Sequence, residues 1–197
     1  MIDVKSVLNQ TFNIEADAIN QALKQIDETE FSKALDLLFN AKRIGCSGCG
    51  HSGIICMHFA HLMRCINLTA SFLSPAEALH GAIGFLKEGD VIVLASRGGK
   101  TKELLPIIDV CKKENIKIIG ITENLDSEIA KSSDAVIKMS VTRETDKWNS
   151  QGTTSSTVLA VIFHALQSAL IEMAGFQNEQ FAVIHPHGAV GERLNKK

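Results

Sequence analysis

The sequence predicts an α/β domain built on a parallel sheet with helices on both faces. Three observations predict it. Short apolar runs near positions 43–47, 69–73, 91–96, 117–122 and 135–139 alternate with helix-patterned segments, which is the rhythm of βαβ crossovers. Glycine-bearing turns follow the first and third of these runs, where a strand must hand over to a helix. The chain has 197 residues and is 45% hydrophobic, enough for one full core plus extra helix at an end, but not for a second domain of ordinary size.

In chain order, the first element is helical. Val7, Ile14, Ala18, Ile19, Ala22, Leu23 and Ile26 recur at helical spacing, and Phe31, Ala34, Leu35, Leu37, Leu38 and Phe39 resume the pattern after an acidic break at 27–30. Residues 1–41 are therefore read as N-terminal helices that pack on the domain or on a neighbouring subunit, and residues 42–197 as the ligand-binding domain. The five apolar runs are short and bounded by turn residues, as strands buried on both faces are. The stretch Lys102 to Val110 reads as the helix after the third strand, and Thr153 to Ala174 as one long helix, apolar on most sides.

Composition excludes several classes of function. The formal net charge is −2, with acidic and basic residues mixed along the chain, so there is no basic footprint for nucleic acid or an anionic membrane. The N-terminus lacks a basic start followed by an apolar run, and no uninterrupted apolar stretch reaches spanning length, so a cytoplasmic location is expected. Five cysteines, four of them between Cys46 and Cys65, make a poor disulfide framework and are read as free thiols. A small ligand, or another protein surface, is the expected partner.

Two loops carry the chemistry. Ser96-Arg97-Gly98-Gly99-Lys100-Thr101 leaves a strand, and its glycines, hydroxyls and following helix suit an anion such as phosphate. Gly99-Lys100-Thr101 matches the end of a Walker A loop, but Leu94 stands where the first glycine belongs. Gly48-Cys49-Gly50-His51-Ser52-Gly53 satisfies the glycine spacing of a dinucleotide fingerprint, yet the next strand ends in Ser74 rather than the acid that grips a ribose. Neither loop completes a nucleotide site, and no cofactor is expected. Cys46 and Cys49 have the spacing of a zinc or redox pair, with His51, Cys56, His58 and His61 nearby, but no second pair completes four ligands, so no metal is expected.

Further along, His80 and His185 each sit near a glycine at the end of an apolar segment, where a histidine is as readily structural as reactive. The hydroxyl run Thr153-Thr154-Ser155-Ser156-Thr157 follows Arg143-Glu144 and offers phosphate donors beside a carboxylate base; helix capping alone would explain one or two of these hydroxyls, not five.

With these segments in order, the chain resembles the sugar isomerase (SIS) domain and, within it, the arabinose 5-phosphate isomerase group. The likeness rests on the two glycine loops, on Pro75-Ala76-Glu77-Ala78-Leu79-His80-Gly81, on Arg143-Glu144, on the 153–157 hydroxyls, and on the 181–191 segment containing His185-Pro186-His187-Gly188. It covers about Lys42 to Leu194. The resemblance implies a three-layer α-β-α sandwich with a five-stranded parallel sheet, a homotetramer with pockets at subunit contacts, and cofactor-free interconversion of an aldose and a ketose phosphate through an enediolate. It implies that Ser52, Ser96, Gly98, Gly99, Thr101, Thr154, Ser155, Ser156 and Thr157 hold the phosphate, and that Glu144, His185, His80 and His51 serve the reacting end.

Four positions depart from the family's pattern: His51 replaces lysine, Gly98 serine, Lys100 an acid and His187 glycine. The tandem regulatory (CBS) pair that commonly follows is not expected, since the sequence ends soon after Leu194. Ribulose 5-phosphate and arabinose 5-phosphate are the expected substrate pair; the alternatives are a binding or sensor protein without turnover, and an isomerase of another phosphosugar such as a heptose phosphate.

Overall fold

A computed structural model describes residues 2–195. Five strands, β1 (Ile44–Gly48), β2 (Ala70–Phe72), β3 (Val91–Ala95), β4 (Lys117–Thr122) and β5 (Ala135–Lys138), form one parallel sheet in the order β2-β1-β3-β4-β5. All four pairings are parallel and in continuous register, for example Ile44 opposite Val91 and Val91 opposite Lys117. The strand order reverses between β1 and β3, and ligands in open parallel sheets bind beyond the strand C-termini at such a switch. Both glycine loops flank it.

Alternation along the strands builds two cores. Val91, Val93 and Ala95 face one side with Ile119 and Ile121, while Ile92 and Leu94 face the other with Ile118. The first side is covered by α1 (Val4–Leu23), α2 (Glu28–Asn40), α3 (Gly50–Arg64) and α7 (Thr154–Ala174), and stacks Phe59 on Phe163 with ring centroids 4.2 Å apart. The second is covered by α4 (Pro75–Ala78), a 3-10 turn at Ala82–Phe85, α5 (Leu105–Lys113) and α6 (Glu128–Ser132). The result is the expected three-layer sandwich. Asp3 and Asp27 cap α1 and α2 by accepting from backbone N–H groups of their first turns. Both helices pack on α7, and α2 also packs along β5. The last elements, α8 (Asn178–Ile184) and α9 (Gly188–Asn195), pack chiefly on each other.

One expectation needs correction. The helix after the third strand begins at Leu105, not at Lys102, because Thr101 is irregular and 102–104 form a turn. Pro106 explains the shift: near a helix start its missing N–H costs nothing, whereas four residues further into a helix it would break a hydrogen bond. The long helix expected over Thr153 to Ala174 is present as α7, 21 residues with mean hydropathy 1.6 in its most apolar window, enough by length and composition to cross a membrane. In this fold it is a core helix, with Val158, Leu159, Ile162, Phe163, Leu166 and Leu170 buried among α1, α2 and α3.

The stacked pair predicts its own importance. Phe163→Ala removes a fully buried ring from the centre of the larger core and should destabilise the chain by about 3–5 kcal/mol, read as a lower denaturant midpoint at unchanged slope.

Candidate functional site

The first loop is shaped by contact between backbones. A Cβ on Gly53 would stand 2.6 Å from the Gly48 carbonyl oxygen, so only glycine lets α3 sit this close to the end of β1. His51 and Ser52 occupy the first turn of α3, His51 exposed and Ser52 half-buried. The His51 ring rests against Gly152, where a Cβ would come within 3.2 Å of its Cγ. This contact brings the β1 loop to the head of α7.

The second loop is tighter. Gly99 takes φ +65°, and a side chain there would collide with Ser127 and Thr122. The turn is closed by Ser96, whose Oγ lies 2.7 Å from Thr101 Oγ1 and accepts from the Gly99 N–H at 3.1 Å. Gly98 is exposed at the turn's outer side, with open space where a Cβ would stand. Because α5 starts only at Leu105, an anion seated here would meet Ser96, Thr101 and the turn's backbone rather than a helix N-terminus directly.

Opposite this loop, Glu144 is 2% exposed and fully engaged. Its Oε1 accepts from Arg97 Nη1 at 2.7 Å; its Oε2 accepts from the Ser155 N–H at 3.1 Å and from Thr153 Oγ1 at 3.3 Å. Its own N–H donates to Asn149 Oδ1 at 2.6 Å. A carboxylate at the first turn of a helix is favoured by the helix dipole as well. Arg97 continues outward, donating from Nε to Glu123 at 2.8 Å and from Nη2 to the Val141 carbonyl at 3.2 Å. Arg97 is the residue that sequence reasoning passed over. The signal was present, an arginine beside Ser96, but its partners lie 26 and 47 positions away and meet only through the strand order.

The hydroxyl run separates into different settings. Thr154 is fully buried and its hydroxyl has no hydrogen-bond partner among the described residues; Ser155, Ser156 and Thr157 are half-buried, and Ser156 donates back to the Gly152 carbonyl. His80 is exposed just after α4. His185 lies at the end of α8, its ring 5.0 Å from that of Phe181, and its buried Nδ1 has no hydrogen-bond partner among the described residues. Among the described residues, no hydrogen bond joins His80 or His185 to Glu144 or to the Ser96 loop. One chain thus joins Arg97, Glu144, Thr153 and Ser155 by hydrogen bonds beside the Ser96–Thr101 pair, and sets His51 against Gly152 at the head of α7.

A hollow of about 380 Å³ opens beside the β1 loop, lined by Gly48, Gly50, Met57, Phe72, Ser74 and Glu103; ligand pockets usually measure roughly 300–1,000 Å³. A larger hollow, about 580 Å³, sits at the opposite strand ends beside Glu88, Lys117 and Asp134, away from both glycine loops. The topological switch, not the size, selects the first.

The cysteine and histidine cluster disperses. Cys46 donates to the Cys56 carbonyl at 3.0 Å, His61 lies 3.4 Å from Cys65, and His58 pairs with His164 at 3.2 Å. Among the described residues, no three His, Cys, Asp or Glu converge as metal ligands. Burial pushes the Cys46 and Cys111 thiols up to about 12 and Cys56 well above its ordinary value.

Comparison with known proteins fits this arrangement. The SIS domain matches residues 37–169. The chain belongs to the SIS domain family. It is 34% identical over 188 residues to the arabinose 5-phosphate isomerase KpsF of Escherichia coli, covering 95% of this chain and 58% of that one. It is 36% identical over 186 residues to the arabinose 5-phosphate isomerase KdsD of Pseudomonas aeruginosa, covering 94% and 57%. The chain thus spans less than three-fifths of the length of these curated relatives. A solved structure from Listeria monocytogenes, described as a candidate sugar-phosphate isomerase, superposes with a TM-score of 0.90 at 35% identity, covering 95% of this chain and all of that one. The E. coli CFT073 protein c3406 in complex with arabinose 5-phosphate gives 0.88 at 27% identity, covering 94% of this chain and 100% of that one. The SIS fold with its five parallel strands is thereby established.

Two outcomes test this site. Gly99→Ala should abolish ligand binding and lower stability, since both the backbone angle and the Ser127 contact forbid it, whereas Gly98→Ala should be tolerated. Alkylation of the native chain near neutral pH should spare Cys46, Cys56 and Cys111 until denaturant is added, because the thiolate is the reactive form and burial suppresses it.

Proposed function

We propose that the chain is an aldose–ketose isomerase interconverting ribulose 5-phosphate and arabinose 5-phosphate without a cofactor. The observation that carries this reading is the buried Glu144 carboxylate facing a glycine and hydroxyl cradle across one rim of the sheet. The names of the relatives KpsF and KdsD and the arabinose 5-phosphate complex of the c3406 protein point to the same chemistry.

Isomerisation needs a fixed phosphate, a base for the carbon beside the carbonyl, and stabilisation of the enediolate oxygen. Ser52, Ser96, Gly98, Gly99, Thr101 and the 154–157 segment are proposed to hold the phosphate. Glu144 or His185 moves the proton from one carbon to its neighbour, His80 assists ring opening, and His51 stands in for the family's lysine near the hydroxyls. Among the described residues no hydrogen bond joins His80 or His185 to Glu144, which supports sites shared between subunits. Exposed apolar residues on α1, α8 and α9, among them Phe12 at 71% and Val183 at 77%, support a homo-oligomer, proposed as a tetramer.

A second reading is favoured by one observation: both oxygens of Glu144 are already engaged, as befits a binding or sensor protein in which that carboxylate is structural. An NMR time course against pentose, hexose and heptose phosphates separates the two. The enzyme should convert ribulose 5-phosphate and place solvent deuterium on the carbon next to the carbonyl; affinity for sugar phosphates without conversion of any would establish the sensor.

Glu144→Gln and His185→Ala should each lower turnover by at least about a hundredfold with modest change in affinity, while Ser96→Ala should mainly weaken binding. Near-native turnover in both of the first two variants would remove them as the acid–base pair. A monomeric mass by light scattering for a fully active chain would rule out shared pockets.

A further inference from the structure

Arg97 touches both halves of the site. Its backbone belongs to the phosphate loop: it follows Ser96, and its carbonyl accepts from Thr122 Oγ1 at 3.0 Å. Its guanidinium belongs to the reacting end, with Nη1 on Glu144 at 2.7 Å and Nε on Glu123 at 2.8 Å. The two carboxylates differ in setting. Glu144 is 2% exposed, whereas Glu123 and Arg97 itself are each 37% exposed, so the guanidinium sits at the mouth with one edge turned inward and one held outside.

This arrangement opposes the proposed chemistry twice. Both carboxylate oxygens of Glu144 are taken up by Arg97, the Ser155 N–H and Thr153, so neither is free to face a substrate carbon. Meanwhile the arginine in the anion-binding loop is already matched by carboxylates. One event relieves both conditions. A phosphate dianion presents more charge and more acceptor oxygens than one carboxylate edge, in a geometry that a guanidinium meets bidentately.

Resting on the reading of Glu144 as the base, the geometry points to Arg97 as a positioning residue that exchanges partners. It holds Glu144 Oε1 in the resting chain, turns that edge to the substrate phosphate on binding, and so leaves Oε1 to take the proton from the substrate carbon. Glu123 keeps the Nε edge and acts as the pivot. Of the other charged groups around Glu144, Arg143 donates to its carbonyl rather than its carboxylate, and Asp146 is occupied by the N–H groups of Trp148, Ser150 and Gln151. His51 is turned to Gly152. Among the described residues, Arg97 is the one cation on the Glu144 carboxylate.

The test is a mutant cycle on the full chain, with inorganic phosphate as the probe and calorimetric affinity as the readout. Arg97→Gln should weaken phosphate binding by about tenfold or more. Glu144→Gln should tighten it several-fold, because the arginine is released to the anion. In the double variant that tightening should vanish, since the coupling runs through Arg97. Arg97→Lys, which keeps the charge but not the fork, should recover part of the affinity and retain the wild-type melting temperature more closely. If Arg97→Gln does not fold, the same cycle is run with Arg97→Lys, and the Glu144→Gln tightening should fall to less than about half. Unchanged phosphate affinity in Glu144→Gln, or equal tightening with and without Arg97, overturns the exchange; the latter would be mere loss of a negative charge. Turnover separates the two ideas: a fully active Glu144→Gln chain removes Glu144 as the base, whatever the phosphate affinities show.

Discussion

The site depends on one buried ion. A carboxylate that is 2% exposed is intolerable without partners, and Glu144 obtains them from three parts of the chain: Arg97 after β3, Thr153 before α7, and the backbone of Ser155 in its first turn. Meeting that demand fixes the approach of α7 to the strand ends. It also orders the irregular 139–153 segment, where Asn149 accepts from the Glu144 N–H and Thr145 is joined to Thr153. The catalytic candidate and the scaffold of the site are the same group.

Around that ion the fold supplies closeness at the points where closeness is needed. Gly53 lets α3 approach β1, Gly99 lets the loop after β3 fold over Ser127, and Gly152 admits the His51 ring. Each leaves room that any side chain would fill. The strand order then sets these three places along one edge of the sheet, so positions separated by about fifty residues become neighbours.

Much of this was legible in the sequence, for a physical reason. Strands buried on both faces read as plain apolar runs, and all five were located to within a residue or so of their ends. Glycine punctuation marked the two loops for the same reason: backbone turns of this kind exclude other residues. What stayed hidden was relational. No local pattern announces that Arg97 will meet Glu123 and Glu144, because the pairing is created by the β3-β4-β5 neighbourhood. The start of α5 was misjudged because apolar periodicity outweighed the proline that sets it.

The helix α7 has a consequence for the order in which the chain is made. Its partners α1, α2 and α3 all precede it in sequence, so during synthesis they leave the ribosome with the face they share with α7 only partly covered. The groove waits for its filler. When α7 emerges, its most greasy segment meets a prepared surface rather than an unfolded tail, which shortens the time it spends available to membranes or to other nascent chains. Moving this helix to the front of the gene by circular permutation would reverse that sequence of events and expose it first, with the same final contacts and a poorer yield of folded protein.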